Sequence, residues 1–158
     1  MPASRLTQLG LKTAGEKGGA MARELDEQVH HDRIVKLLRR RLYNYPTDQH
    51  PNYMSYQNHP MKTKAIRSPA GHDSFPDIIV FWPRTDQVVQ VAEVETESTV
   101  NEEEAKEWRE FSQLGADFVL YVPSGCGAAA KKMCADFKVT ELYEYWQDSG
   151  RLFLKRLG

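Results

Sequence analysis

The chain has 158 residues, 21 Lys and Arg against 22 Asp and Glu for a formal net charge of −1, and a composition that is 41% hydrophobic and 27% charged. A chain of this length buries roughly 68–70% of the surface its unfolded form exposes, enough for one core, and its two cysteines, Cys126 and Cys134, exclude a disulfide scaffold or a four-cysteine zinc site. No apolar run approaches the ~20 residues of a membrane span and the N-terminus lacks the apolar core of a signal peptide, so a soluble, reducing, cytoplasmic setting with no membrane partner is expected.

Residues 1–22, rich in Gly, Lys, Ala and Ser without apolar periodicity, are expected to form a flexible tail, and residues 23–158 a single domain. Met21 heads the first helix-like stretch and is a candidate natural start. Gly10 to Lys17 has the outline of a phosphate-binding loop, but Glu16 stands at the lysine position and no strand precedes it, so no nucleotide cofactor is expected. From about Leu25 to Tyr45, Val29, Ile34, Val35, Leu37, Leu38 and Leu42 recur at helical spacing until Pro46 stops the element. The adjacent His30 and His31 point to different sides of that helix and are expected at its surface. Residues 46–62 read as a long polar loop, followed by a short strand near Lys64–Ser68.

Asp77–Trp82 reads as a short buried strand, Pro83–Gln87 as turn chemistry, and Val88–Thr96 as a second strand, together a β-hairpin. Asn101 caps an acidic helix to about Leu114, with glutamates in the first turn where the helix dipole favours them. Ala116–Val122 is an apolar strand and Ala128–Phe137 a helix; Thr140–Trp146 and Arg151–Arg156 are edge strands or a hairpin around Asp148-Ser149-Gly150. The order predicts an α/β domain with a mixed sheet flanked by helices.

Charge is segregated along this order. Between Gln28 and Arg67 eight bases face two acids, a net +6; between Asp86 and Asp117 ten acids face two bases, a net −8. Asp77 and Glu93 stand eight residues on either side of Thr85, so a hairpin closing there sets them directly opposite, Cβ atoms about 4.5–5.5 Å apart, with Glu95 on the same face. Two unit charges ~5 Å apart repel by roughly 3 kcal/mol at an effective dielectric of about 20, and a hard divalent cation relieves that repulsion. The ordinary meaning of alternating acids, the solvated face of an amphipathic strand, is the competing explanation for Glu93, Glu95 and Glu97.

Pro76-Asp77 at a strand start, Glu93-Val94-Glu95 on the next strand, a helix before them and a strand behind the acidic helix resemble the PD-(D/E)-x-K nuclease superfamily, the restriction-endonuclease-like fold. The likeness covers about Leu25–Gly125 and implies an α-β-β-β-α-β core. It implies metal-dependent DNA cleavage of the restriction-enzyme or junction-resolvase kind, with Mg2+ or Mn2+ as cofactor. Asp77, Glu93 and Glu95 would be catalytic and metal-holding residues, joined by an acid from the first helix, Asp32 first and Glu27 second. Glu95 replaces the family lysine, a variant that some competent restriction enzymes share; Lys106 is the nearest candidate to replace its charge, although pairing with Glu102 or Glu110 would also explain it. Arg33, Lys36, Arg40, Lys62, Lys64 and Arg67 would meet DNA phosphates, and a homodimer is expected because two strands need two cuts. His72 is a candidate to approach the substrate, and Tyr53, Tyr56 and Trp82 to stack on bases. Two other readings remain open: an inactive DNA-binding or regulatory module on the same fold, and an interaction domain that docks a basic partner on the acidic helix.

Overall fold

The computed structural model describes residues 6–157, with side chains described from residue 24 onward. The first helix, α1, spans Leu6–Leu42, so it begins well before the expected Leu25 and includes residues 6–22 of the expected tail, whose residues 1–5 lie outside those described. Over its described part, α1 buries Ile34, Val35 and Leu38 completely and exposes Arg33, Lys36 and Arg40, the one-sided stripe of a helix lying on a sheet. Among the described residues no helix is long and apolar enough to cross a membrane.

Six strands form one mixed sheet in the order β1 (Met54–Gln57), β4 (Ile78–Trp82), β5 (Gln87–Val94), β6 (Asp117–Pro123), β7 (Glu141–Asp148) and β8 (Arg151–Arg156). The pairs β1–β4, β4–β5 and β7–β8 are antiparallel, whereas β5–β6 and β6–β7 are parallel. The parallel steps carry the crossover helices that parallel pairing requires, α2 (Glu102–Ser112) and α3 (Gly127–Met133). The expected strand near Lys64–Ser68 exists as β2 (Ile66–Arg67), but it pairs with β3 (Asp73–Ser74) in a separate ribbon. The sheet's first strand is instead Met54–Gln57, inside the segment expected to be loop, so that expectation is corrected. Four residues with two polar side chains carry little strand signal of their own; the free edge of β4 orders them.

Alternation along the strands divides the core into two layers. Ile78, Val80, Ala92, Val94, Val119 and Tyr121 pack with Ile34, Val35 and Leu38 of α1. Ile79, Phe81, Val91, Phe118, Leu120 and Val122 pack with Ala105, Trp108 and Phe111 of α2 and Ala130 of α3. The sheet is therefore sandwiched by α1 on one face and α2 with α3 on the other. At the start of α2, the Asn101 side chain accepts a hydrogen bond from the Glu104 N–H, the expected cap.

The β4–β5 hairpin carries a bulge: Phe81 faces Val88, but Val80 faces Gln90, so Val89 is the extra residue. Beyond the bulge Ile78 faces Ala92, and one further step sets Asp77 opposite Glu93. The turn end is thus offset by one residue, and the bulge restores the register expected from a turn centred on Thr85.

Candidate functional site

Where the hairpin ends, β4 begins and β5 stops, opening a cleft of about 560 Å³ between the described part of α1 and the first turns of α2. The loop joining β1 (Met54–Gln57) to β2 (Ile66–Arg67) adds His59 and Lys62 to its wall. Asp77, Glu93 and Glu95 all line the cleft and are only 3%, 9% and 4% exposed. Three carboxylates at this burial contradict a solvated strand face, since such groups are almost never so enclosed unless paired.

Each carboxylate is held differently. The Asp77 N–H donates to Glu93 Oε1 at 2.8 Å, and Asp77 Oδ2 accepts from the Val94 N–H at 2.7 Å, so the two acids are locked across the hairpin's open end. Two imidazoles close on the Asp77 side chain: His31 Nε2 lies 3.0 Å from Oδ2 and His59 Nε2 lies 2.9 Å from Oδ1. The Trp108 indole N–H of α2 donates to Glu95 Oε1 at 2.7 Å, while the Tyr145 hydroxyl donates to the Glu95 carbonyl at 2.5 Å.

The electrostatics follow from crowding acids into one enclosed place. Burial raises the Glu93 carboxyl well above its usual range, and the charges of Asp77, Glu95 and Glu107 push it further. Glu95 is pushed up to about 7 by burial first, opposed by hydrogen bonds from Thr99 and Trp108 and reinforced by Asp77 and Glu104. Glu104 and Glu107, in the first turns of α2, also line the cleft and are raised by their own burial and the neighbouring acids. Asp77 goes the other way: burial opposes its charge, but the hydrogen bonds from His31 and His59 outweigh burial and hold it below the usual carboxylate range. For His31, burial opposes protonation, yet hydrogen bonds and attraction from Asp77 and then Asp32 win, raising it to about 9.

Chemically, the donor set at the hairpin end, carboxylates of which two rise through burial first and mutual repulsion second, suits a small divalent cation bound through oxygen. Glu27 of α1 also lines this cleft, its Oε2 accepting from the hydroxyls of Thr96 and Ser98. Asp32 stands differently from its expected place: its Oδ1 accepts from Gln28 Nε2 at 2.8 Å and faces His31 Nδ1 at 3.1 Å and His59 Nδ1 at 3.6 Å. Among the described residues, His31, Asp32 and His59 are the group whose potential ligand atoms lie within 4.8 Å of one another. Compared with models of protein families, with curated proteins and with solved structures, the chain matches none.

The remaining sequence-predicted residues divide by place. Lys106 is 74% exposed and bonds Glu103 at 2.9 Å rather than Glu102 or Glu110, pointing away from the cleft it was expected to serve. Lys62 is the lysine that lines the cleft, its Nζ 4.8 Å from the Phe75 ring. Lys64 pairs with Asp86 at 2.7 Å and, with Arg67, lines a separate cavity beside the β4–β5 turn. Arg33, Lys36 and Arg40 remain exposed on α1. His72 lines the cleft and lies 3.2 Å from Glu110. Of the aromatic candidates, Tyr56 stacks on Phe81 and Tyr53 on His50.

The expectation of a surface position for His31 is corrected: its side chain is 11% exposed and bonded on both edges. His59 lies 28 residues further along the chain in a polar segment, and nothing local marks it as a partner of Asp77. The only sequence signal was the histidine beside Pro60 in a loop unusually long for a compact domain.

Proposed function

We propose that the chain is a metal-dependent DNA endonuclease of the restriction-endonuclease-like fold, hydrolysing phosphodiester bonds in the cleft at the open end of the β4–β5 hairpin. The observation that carries this reading is the opposition of Asp77 and Glu93 across the hairpin, with Glu95 one alternation beyond and Glu27 approaching from α1. The order α1, β1, β4, β5, α2, β6, with β5 and β6 parallel, supports the family core.

Asp77 and Glu93 would hold Mg2+ or Mn2+, which when bound supplies Lewis acidity to the scissile phosphate and lowers the pKa of a water. Glu27 takes the place expected for Asp32 as the acid contributed by α1. Glu95, poised near 7, accepts the proton of the attacking water as the new P–O bond forms, and the ester P–O bond breaks with the departing oxygen taking a proton from solvent. Trp108 and Thr99 orient that carboxylate. Lys62 meets the phosphate at the cleft, and the exposed bases of α1 add contacts that depend on salt but not on sequence.

Plasmid, branched and single-stranded DNA incubated with the protein and Mg2+ or Mn2+ test this reading. Cleavage is expected, and Asp77→Ala and Glu93→Gln should each lower it by roughly 10²-fold or more. If no substrate is cut, or Asp77→Ala cuts equally well, the reading is wrong. One observation favours a second reading, a DNA-binding module without chemistry: both Asp77 oxygens are already engaged, by His31 and His59. Salt-sensitive DNA binding indifferent to divalent metal would select it.

A further inference from the structure

The two imidazoles over Asp77 also reach a second acid. Each ring nitrogen of His31 and His59 faces a carboxylate: the Nε2 atoms face Asp77 at 3.0 and 2.9 Å, and the Nδ1 atoms face Asp32 Oδ1 at 3.1 and 3.6 Å. Two neutral imidazoles carry only two hydrogens among four nitrogens. With both hydrogens on Nε2, where the contacts to Asp77 are shortest, both Nδ1 lone pairs are left on the Asp32 side, and a divalent ion seated there would accept them together with Asp32 Oδ1.

We propose that His31, Asp32 and His59 form a binding site for a borderline transition-metal ion of the Zn2+ class, separate from the carboxylate pair Asp77 and Glu93. Two imidazole nitrogens and one carboxylate oxygen select such an ion over Mg2+, which prefers oxygen alone. The arrangement has the outer contacts that ligating histidines ordinarily show, each ring's other N–H donating to a carboxylate, here the same Asp77. His59 and Asp32 are 30% and 23% exposed, so an ion can enter from solvent. Three protein ligands leave a coordination position for water. The site deepens the role of Asp77, which then orients both histidines, but it does not depend on the chain cutting DNA.

The whole chain is titrated with Zn2+ by calorimetry and with Co2+ by visible absorption and proton NMR. One Zn2+ per chain is expected, with Mg2+ failing to compete at equal concentration, and bound Co2+ should shift the N–H resonances of two imidazoles. His59→Gln, on a partly exposed loop where folding is least at risk, should weaken Zn2+ binding at least tenfold, as should Asp32→Asn, while Glu93→Gln leaves it within about twofold. The proposal is overturned if no Zn2+ binds, if His59→Gln binds as well as the parent, if Glu93→Gln abolishes binding, or if Co2+ shifts no imidazole proton in the unmutated chain. A chain that binds Zn2+ and cuts nothing retires the nuclease reading alone; one that cuts with Mg2+ and ignores Zn2+ retires this proposal alone.

Discussion

Under the proposed nuclease reading Glu95 stands where a lysine is expected, and its environment explains how an acid is tolerated there. The Trp108 indole, itself fully buried, spends its only donor on Glu95 Oε1, and the Tyr145 hydroxyl fixes the same residue's carbonyl. Removing the indole N–H with Trp108→Phe leaves a buried carboxylate without that partner. The expected cost is roughly 1–3 kcal/mol in urea unfolding. The same change should move the Glu95 pKa above its value of about 7, because the lost hydrogen bond favoured the charged form. Carbon-13 NMR of labelled glutamate reads that direction; a downward shift would contradict this account. Asp77, by contrast, gains its ionisation from residues that share no local sequence with it, His31 on α1 and His59 on the loop before Pro60.

At the scale of elements, the hairpin and α2 set the site's geometry by independent devices. The bulge at Val89 decides which acids face each other: it absorbs one residue, so that Asp77 meets Glu93, whereas an unbulged ladder from the same turn would set Asp77 opposite Ala92. The cap of α2 acts on the other wall, where Glu104 and Glu107 reach the cleft from the first turns. Asn101→Ala should lower stability by about 1 kcal/mol, checked by thermal or denaturant unfolding. The strands that carry the acids were legible because their period and turn chemistry are local, and so was the Asn101 cap. Strand β1 was not legible: Met54–Gln57 pairs residue for residue with Phe81–Ile78 far along the chain, and only that partner makes it a strand.

For the molecule as a whole, the uneven charge becomes a spatial arrangement. Acids gather in a cleft where Glu93, Glu95, Glu104 and Glu107 are raised above the usual carboxylate range and Asp77 alone is lowered, while bases of α1 stay exposed to solvent. Stability of the metal-free protein should therefore depend on pH in a direction opposite to that of most salt-bridged domains. Glu95 rises from 4.5 to about 7 on folding, so its ionisation in the unfolded chain costs stability as pH climbs through that interval, by about 3 kcal/mol at most. His31 rises from 6.5 to about 9, so its contribution is complete below 6.5 and is lost as pH rises through 9. Urea unfolding in chelator should show stability falling between pH 5 and pH 9, and Glu95→Gln should flatten the portion below pH 7. A stability that rises over this range would contradict the buried, repelling acids.

Alternation, turn chemistry and capping within a few residues were enough to read the α/β class, the hairpin and the opposition of Asp77 and Glu93. The family likeness put Asp32 first and Glu27 second as the acid supplied by α1. It took the packing of distant segments to bring Glu27 into the carboxylate cleft, turn Asp32 to the histidines, leave Lys106 in solvent and converge His31 and His59 on Asp77. The physical reason is common to all of these. A helix position one turn along faces a different neighbour, and which neighbour that is depends on how α1 packs on the sheet, a relation between segments that no local period encodes.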